Sequence, residues 1–378
     1  MKLGAYIAQT DERNADLAVT NLLGVSIEKR FVPSIANTVG TDLSKYKVVR
    51  PGEFAYGPVT SRNGDKVSIA RLQGDACIVS SSYTSFKVVG NALNPDYLML
   101  WFMRPEFDRY ARFKSHGSAR EIFDWEQLCD VDLPIPTLEE QEKVVDSFKV
   151  IGDRINALRQ LNDKLAACAG ALFEEECVQH PKWRVVRMDE ICQVKGGKRL
   201  PAGEELATGV TDHPYIRVRD LNGIRHLIYD TSMAHVSAAT QRQIARYIVS
   251  EGDVIISIVG TIGLTAIIDA SLDKANLTEN CDKLTNFNGV NPLWVYLYLN
   301  STGGKAAITE ATVGAVQAKL PLKNIQALHL PVPSPEDRAS IDQKLAPLFD
   351  IMGLNQKECQ KLTNARDVLL DSLASSGS

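Results

Sequence analysis

A chain of 378 residues with 44% hydrophobic content is long for one domain and comfortable for two, each with its own core. It contains no run of about 18 apolar residues, and its first residues, Met1–Asn14, lack a leader-like apolar stretch, so a soluble, cytoplasmic protein with no membrane contact is expected. The net charge of −4 argues at face value against a nucleic-acid partner, but the excess acid is concentrated in short segments: basic and acidic residues number 16 and 16 over 1–132, 5 and 9 over 133–180, 16 and 14 over 181–330, and 5 and 7 over 331–378.

In chain order, a turn at Gly52-Glu53 leads to a predicted strand around Phe54-Ala55-Tyr56. A polar loop follows, with a turn at Asn63-Gly64-Asp65, then strands over Lys66–Leu72 and Ala76–Tyr83. Asn94 then caps a helix running from Pro95 to Phe107. Leu133-Pro134-Ile135-Pro136 enters Thr137-Leu138-Glu139-Glu140, which has the spacing of a capping box. Apolar residues then alternate at spacings of four and three: Val144, Phe148, Ile151, Ile155 and Leu158, continuing through Asn162 to Leu165, Ala169 and Leu172. A helix from Thr137 to Glu176 is expected to run roughly 60 Å.

The second half opens with an alternating strand over Pro214–Arg219 and a turn at Asn222-Gly223. Asp253–Val259 has the apolar content of a buried strand, and Gly260-Thr261-Ile262-Gly263 follows it. Asn291 and Pro292 open an apolar helix over Leu293–Leu299. Leu330-Pro331-Val332-Pro333 then precedes a cap at Ser334, with Pro335 first in the helix and Asp337 third.

These elements repeat. Leu133–Pro136 returns 197 residues later, as do Asn94-Pro95 and Gly117, whose counterpart is Gly314. Val49-x-x-Gly52-Glu53 returns 200 residues later as Val249-x-x-Gly252-Asp253, so a small length change falls between the landmarks. The seam recurs as Ile341, Leu345, Leu348, Met352, Asn355, Cys359, Leu362, Arg366 and Leu369. Such a stripe by itself is ordinary core; its recurrence after each domain makes it architectural. Two matching seams in one chain are buried most simply by antiparallel pairing. Asn162 and Asn355 become polar seam residues that can fix register. The loops between the repeated elements differ in sequence and length.

No catalytic constellation stands out. Asn94-Pro95-Asp96-Tyr97 lacks the second proline of an adenine-methyltransferase motif and suits a helix start. Gly196-Gly197-Lys198-Arg199 fails the phosphate-loop pattern because Arg199 follows the lysine, which leaves a basic turn. The seven cysteines are scattered without a C-x-x-C pair, and the histidines never cluster with them, so no metal site is expected.

Together the repeated L-P-[IV]-P before a capped helix, Gly252-Asp253 with Gly260–Gly263, and Gly314-x-x-Gln317 resemble the specificity subunit of type I restriction-modification systems over nearly the whole chain. Arg338 where the first copy has Gln141, and Arg120 at the place of Gln317, depart from the repeat.

The resemblance implies an α+β fold: two duplicated target-recognition domains, 1–132 and 181–330, separated by long antiparallel helices, 133–180 and 331–378, forming a coiled coil. It also implies a non-catalytic chain that reads a bipartite site in double-stranded DNA. Two adenine-N6 methyltransferase subunits and restriction subunits would join it, with S-adenosylmethionine, ATP and Mg on those partners and no cofactor on this chain. Glu139, Glu140 and Gln141 are the partner-docking candidates. A lone methyltransferase, or a recognition half of a fused restriction-methylation enzyme, is the alternative.

DNA readers combine Lys and Arg contacts to phosphates with polar or Arg contacts to base edges. Candidates in the first domain are Lys29, Arg30, Tyr56, Arg62, Asn63, Lys66, Ser82 and Tyr83. In the second they are Lys195, Lys198, Arg199, Arg217, Arg219, Ser257 and Thr261. For any one of them, a solvated surface role is as common as DNA contact.

Overall fold

A computed structural model describes residues 1–34, 40–61, 63–64, 66–116, 121–314 and 317–373. The chain divides into two compact units, Met1–Asp153 with Thr363–Ser378, and Arg154–Leu362. Arg62, Gly117 and Arg120 lie outside the described residues.

The duplication is present in the topology. In the first unit an antiparallel sheet orders its strands Ile7–Thr10, Thr84–Val88, Phe54–Tyr56 and Ile69–Arg71. The second unit repeats this order with Gln193–Gly196, Cys281–Thr285, Val254–Ser257 and Thr265–Ile268, and adds His226–Leu227 in parallel at the edge. Helices Pro95–Met103, Pro105–Lys114 and Trp125–Cys129 correspond to Pro292–Asn300, Thr302–Ala311 and Leu322–Gln326. The length change noted in the sequence sits partly between the third and fourth strands: 57–68 joins them in the first copy and 258–264 in the second.

The repeated motifs have repeated physical reasons. Gly52 and Gly252 both take positive φ, at 88° and 77°, a backbone state that costs glycine little and other residues more. The acid after each closes the turn: Glu53 accepts from the Arg50 N–H at 2.8 Å, and Asp253 from the Ser250 N–H at 2.9 Å. Asn94 and Asn291 cap their helices through the side chain, ahead of Pro95 and Pro292, so Asn94–Tyr97 is a helix start. The proline-rich motif supplies an acceptor for an aromatic on that helix. Tyr97 OH donates to the Pro134 carbonyl at 3.4 Å, and Trp294 Nε1 to the Pro331 carbonyl at 2.8 Å.

The long helices span Leu138–Gln179 and Pro335–Ser372. The capping box forms: the Thr137 N–H donates to the Glu140 carboxylate at 2.9 Å, and the Glu140 N–H to Thr137 Oγ1 at 3.3 Å. Ser334 Oγ accepts from the Asp337 N–H at 3.2 Å. The second helix continues through Pro347, whose missing N–H leaves the Gln343 carbonyl without its intrahelical donor.

Within the Arg154–Leu362 unit these helices run antiparallel. Arg154 pairs with Glu358 at 2.8 Å and Glu176 with Lys344 at 2.6 Å. Between them Asn355 Nδ2 donates to Asn162 Oδ1 at 2.8 Å, and Asn162 Nδ2 to the Met352 carbonyl at 3.1 Å. Both asparagines are buried, so the pair acts as a register lock. The seam departs from expectation at its end, where Leu369 is 38% exposed and Leu370 and Leu373 are buried instead, in the core of the first unit. Replacing Asn355 with leucine is expected to cost about 1–3 kcal/mol, because it strands the buried Asn162 oxygen. A leucine pair at both positions should recover that stability. Thermal melts of the three proteins check both outcomes.

Candidate nucleic-acid interface

The structure sorts the candidates by burial and partner. Four of them are structural. Tyr56 lies in the first core, edge-on to Phe86 and Phe123 at 6.3 Å, and is not available to a base. Lys29, at φ 61°, turns its ammonium inward to Asp108 at 2.7 Å and over the Phe107 ring. Burial pushes the Lys29 pKa down, and the Asp108 charge opposes that shift. Ser257 Oγ donates to the Thr261 carbonyl at 2.6 Å and accepts from the Leu264 N–H at 2.9 Å, closing its own loop.

Gln141 is the fourth. Its Oε1 accepts from the Asn94 N–H at 2.7 Å, and its Nε2 donates to the Ala92 and Pro136 carbonyls. Arg338 does part of the same work in the second copy, donating from Nε to the Pro333 carbonyl at 3.2 Å. The substitution across the repeat thus preserves a donor to the proline-rich segment. Of the docking triad, Glu139 and Glu140 remain exposed; Glu139 pairs with Lys143 at 2.7 Å and Glu140 serves the cap.

In the first unit Arg30, Lys66 and Ser82 are exposed. Asn63 donates to the Val59 carbonyl at 3.4 Å, holding its own turn. Tyr83 is half-buried, and its hydroxyl accepts from the Val25 N–H at 3.3 Å.

In the second unit Lys195 is exposed on an edge strand and Thr261 in the loop after Ser257. Lys198, Arg199, Arg217 and Arg219 gather about the strand Pro214–Ile216. Tyr215 OH donates to the Lys198 carbonyl at 2.8 Å, which ties the basic turn to that strand. Lys198 Nζ stands 5.5 Å from the Tyr247 ring centre. Arg199, 79% exposed, pairs with Glu279 at 2.7 Å. The turn itself is pinned, with Gly197 N–H donating to the Cys281 carbonyl at 3.0 Å and Lys198 N–H to that of Leu277 at 2.8 Å.

The second long helix supports this region, a role that sequence periodicity did not reveal. Lys357 pairs with Asp269 at 2.7 Å, and Gln360 Nε2 donates to Asp230 at 3.0 Å. Burial alone would raise the Asp269 pKa, but hydrogen bonds from Lys357, Ser271 and His226 hold it well below the usual carboxylate range.

Asp282 also escaped sequence reasoning. It is buried on the strand Cys281–Thr285, opposite Ile256, where the first copy has Thr84 opposite Tyr56, and its Oδ2 has no hydrogen-bond partner among the described residues. Burial pushes its pKa up to about 7, against a partial counter-effect from Lys319. The folded chain therefore holds a proton that the unfolded chain releases at lower pH. Its contribution to stability is full below the ordinary carboxylate pKa of 3.8 and is lost as pH rises through about 7. Asp282→Asn is expected to raise stability by about 1–3 kcal/mol at pH 8 and to change little at pH 4, as read from melts at both values.

Chemistry is sparse elsewhere. Among the described residues no group of three His, Cys, Asp or Glu side chains is gathered to hold a metal, and no helix is long and apolar enough to cross a membrane. Burial pushes the Cys77 thiol up to about 11 and those of Cys192 and Cys281 up to about 12, so these are packing residues.

The type I restriction modification DNA specificity domain family matches twice, over residues 53–167 and 181–364. The chain belongs to this family, the non-catalytic DNA-recognition component of type I restriction-modification systems. It is 20% identical over 361 residues to the type I restriction enzyme MjaX specificity subunit of Methanocaldococcus jannaschii, covering 88% of this chain and 79% of that one. To the MjaIX specificity subunit of the same organism it is 22% identical over 305 residues, covering 74% and 68%. The crystal structure of the type I restriction-modification S subunit from M. genitalium shares the fold, with a TM-score of 0.53 at 16% identity, covering 99% of this chain and 95% of that one.

Proposed function

We propose that this chain reads a bipartite site in double-stranded DNA, one half through 1–132 and the other through 181–330. The segments 133–180 and 331–378 set the gap between the halves. The observation that carries this reading is one sheet-and-helix plan used twice with unlike loops: common elements position the surface, and 11–46 against 197–246 make the two surfaces different. Arg30, Lys66, Ser82, Lys195, Lys198, Arg199, Arg217, Arg219 and Thr261 are the described candidates that remain for contact, and Arg62 joins them from the sequence.

Two adenine-N6 methyltransferase subunits and restriction subunits assemble on the chain in the cytoplasm. Those partners carry S-adenosylmethionine, ATP and Mg. Mapping methylated adenines across the genome with and without this gene tests the reading. A split motif with a fixed gap that vanishes on deletion is expected; an unchanged methylation pattern overturns it.

Docking through the start of the first long helix is tested separately. Glu139→Ala with Glu140→Ala is expected to recover several-fold less methyltransferase subunit on copurification. Equal recovery with the wild type removes this pair from the interface.

A further inference from the structure

A surface cavity of about 390 Å³ opens in the Arg154–Leu362 unit, and its lining includes Thr208, Arg217, Arg219, Thr231, Ser232 and His235. Among the described residues the lining holds two guanidiniums, one imidazole and three hydroxyls, and no carboxylate. His235 is 2% exposed, and the Thr211 N–H donates to its Nδ1 at 3.1 Å. That bond places the proton of the neutral ring on Nε2. Among the described residues the Nε2 has no hydrogen-bond partner, and neither do Nε and Nη2 of Arg217.

The carboxylate beside these groups is shared between them. Asp220 lies 3.8 Å from Arg217 Nε and 3.7 Å from Arg219 Nε, and its Oδ2 accepts from the Arg217 backbone N–H at 2.8 Å. One acid thus faces two guanidiniums. The orphaned atoms are all donors, and buried donors without acceptors are costly. Their complement is an anion that presents several acceptor oxygens. Lys198, beside Arg199 in its pair with Glu279, stands on the turn tied to the strand that leads into Arg217, so positive charge extends to a second segment, as a polyanion requires.

We propose that this cavity seats one phosphodiester of the DNA backbone, gripped by Arg217 and Arg219. The Arg217 side chain, 23% exposed in the free chain, turns its enclosed donors onto the phosphate oxygens. The inference rests on the DNA-reading role above and adds a positioning contact to it: a phosphate fixes register without reading sequence.

The test uses the full chain and two unrelated labelled duplexes of about 30 base pairs, followed by fluorescence anisotropy between about 50 and 200 mM salt. Arg217→Ala is expected to weaken binding about tenfold, equally on both duplexes, and to flatten the salt slope by about 1. Thr208→Glu, an exposed change that leaves the buried arginine in place, is expected to weaken both duplexes alike. Binding by the wild type with both variants unaffected overturns the pocket and leaves the DNA-reading role standing. No binding by the wild type overturns that role and the pocket together. A loss confined to one duplex marks a base contact and overturns the phosphate assignment. Inorganic phosphate alone separates the sources: weak competition with DNA supports a backbone seat, whereas tight phosphate binding that leaves DNA affinity untouched overturns it.

Discussion

Truncating Trp294 to alanine is expected to destabilise the Arg154–Leu362 unit by about 3–5 kcal/mol, seen as a fall of about 10 °C in its melting temperature. Trp294 is among the largest fully buried side chains of the molecule. Its ring lies 4.4 Å from that of Phe173 on the first long helix and 5.6 Å from that of Trp183. Ile341 and Leu345 of the second long helix lie in the same core. The side chain therefore fastens the recognition domain to both helices, and its indole N–H also satisfies the Pro331 carbonyl. Trp294→Phe separates the two contributions: it keeps most of the apolar area and loses the hydrogen bond, so a cost near 1 kcal/mol is expected. An equal loss from both variants would show that the hydrogen bond, and not packing, dominates.

Gly197→Ala is expected to cost about 3 kcal/mol and to weaken DNA binding beyond what the melting change explains. A Cβ at this position meets the Thr278 carbonyl oxygen at 2.0 Å and that of Leu277 at 2.6 Å, both backbone atoms that cannot rotate away. Relief requires the turn to leave the sheet, which breaks the bonds from the Gly197 and Lys198 N–H groups and displaces Lys198 and Arg199. Gly196 provides a contrast. Its Cβ position meets only side-chain atoms, Asp282 Oδ1 at 3.4 Å and Leu322 Cδ1 at 4.0 Å. Gly196→Ala should therefore cost much less. Melts together with anisotropy on a single duplex check both substitutions, and comparable losses from the two glycines would refute the steric argument.

The candidate site was less legible in the sequence than the scaffold. Arg217 and Arg219 are legible in the sequence as basic residues in an alternating stretch, and in the structure both follow the strand Pro214–Ile216 and line one cavity. Tyr56, Lys29 and Ser257, candidates by residue type and loop position, and Gln141, a docking candidate by resemblance, are interior groups. Each departure came from a specific partner: Asp108 lies 79 residues from Lys29, and the Asn94 N–H lies 47 residues from Gln141. Polarity marks a side chain that needs hydrogen bonds, but it does not say whether water, DNA or the protein supplies them.

What the sequence determined by itself is the duplication, the capped starts of the long helices, the seam between them and its two asparagines. These depend on interactions over a few residues, or on a period repeated often enough to outweigh any one exception. The tertiary structure alone decided which polar side chains face outward, how Asn162 meets Asn355, and which carbonyls before each long helix hold Tyr97 and Trp294. It also decided that Asp282 is buried and that two Arg217 donors find no hydrogen-bond acceptor among the described residues. The physical reason is common to all of these. Burial and hydrogen-bond satisfaction are set by residues far apart in the chain, and only the folded sheet and helices bring them within reach.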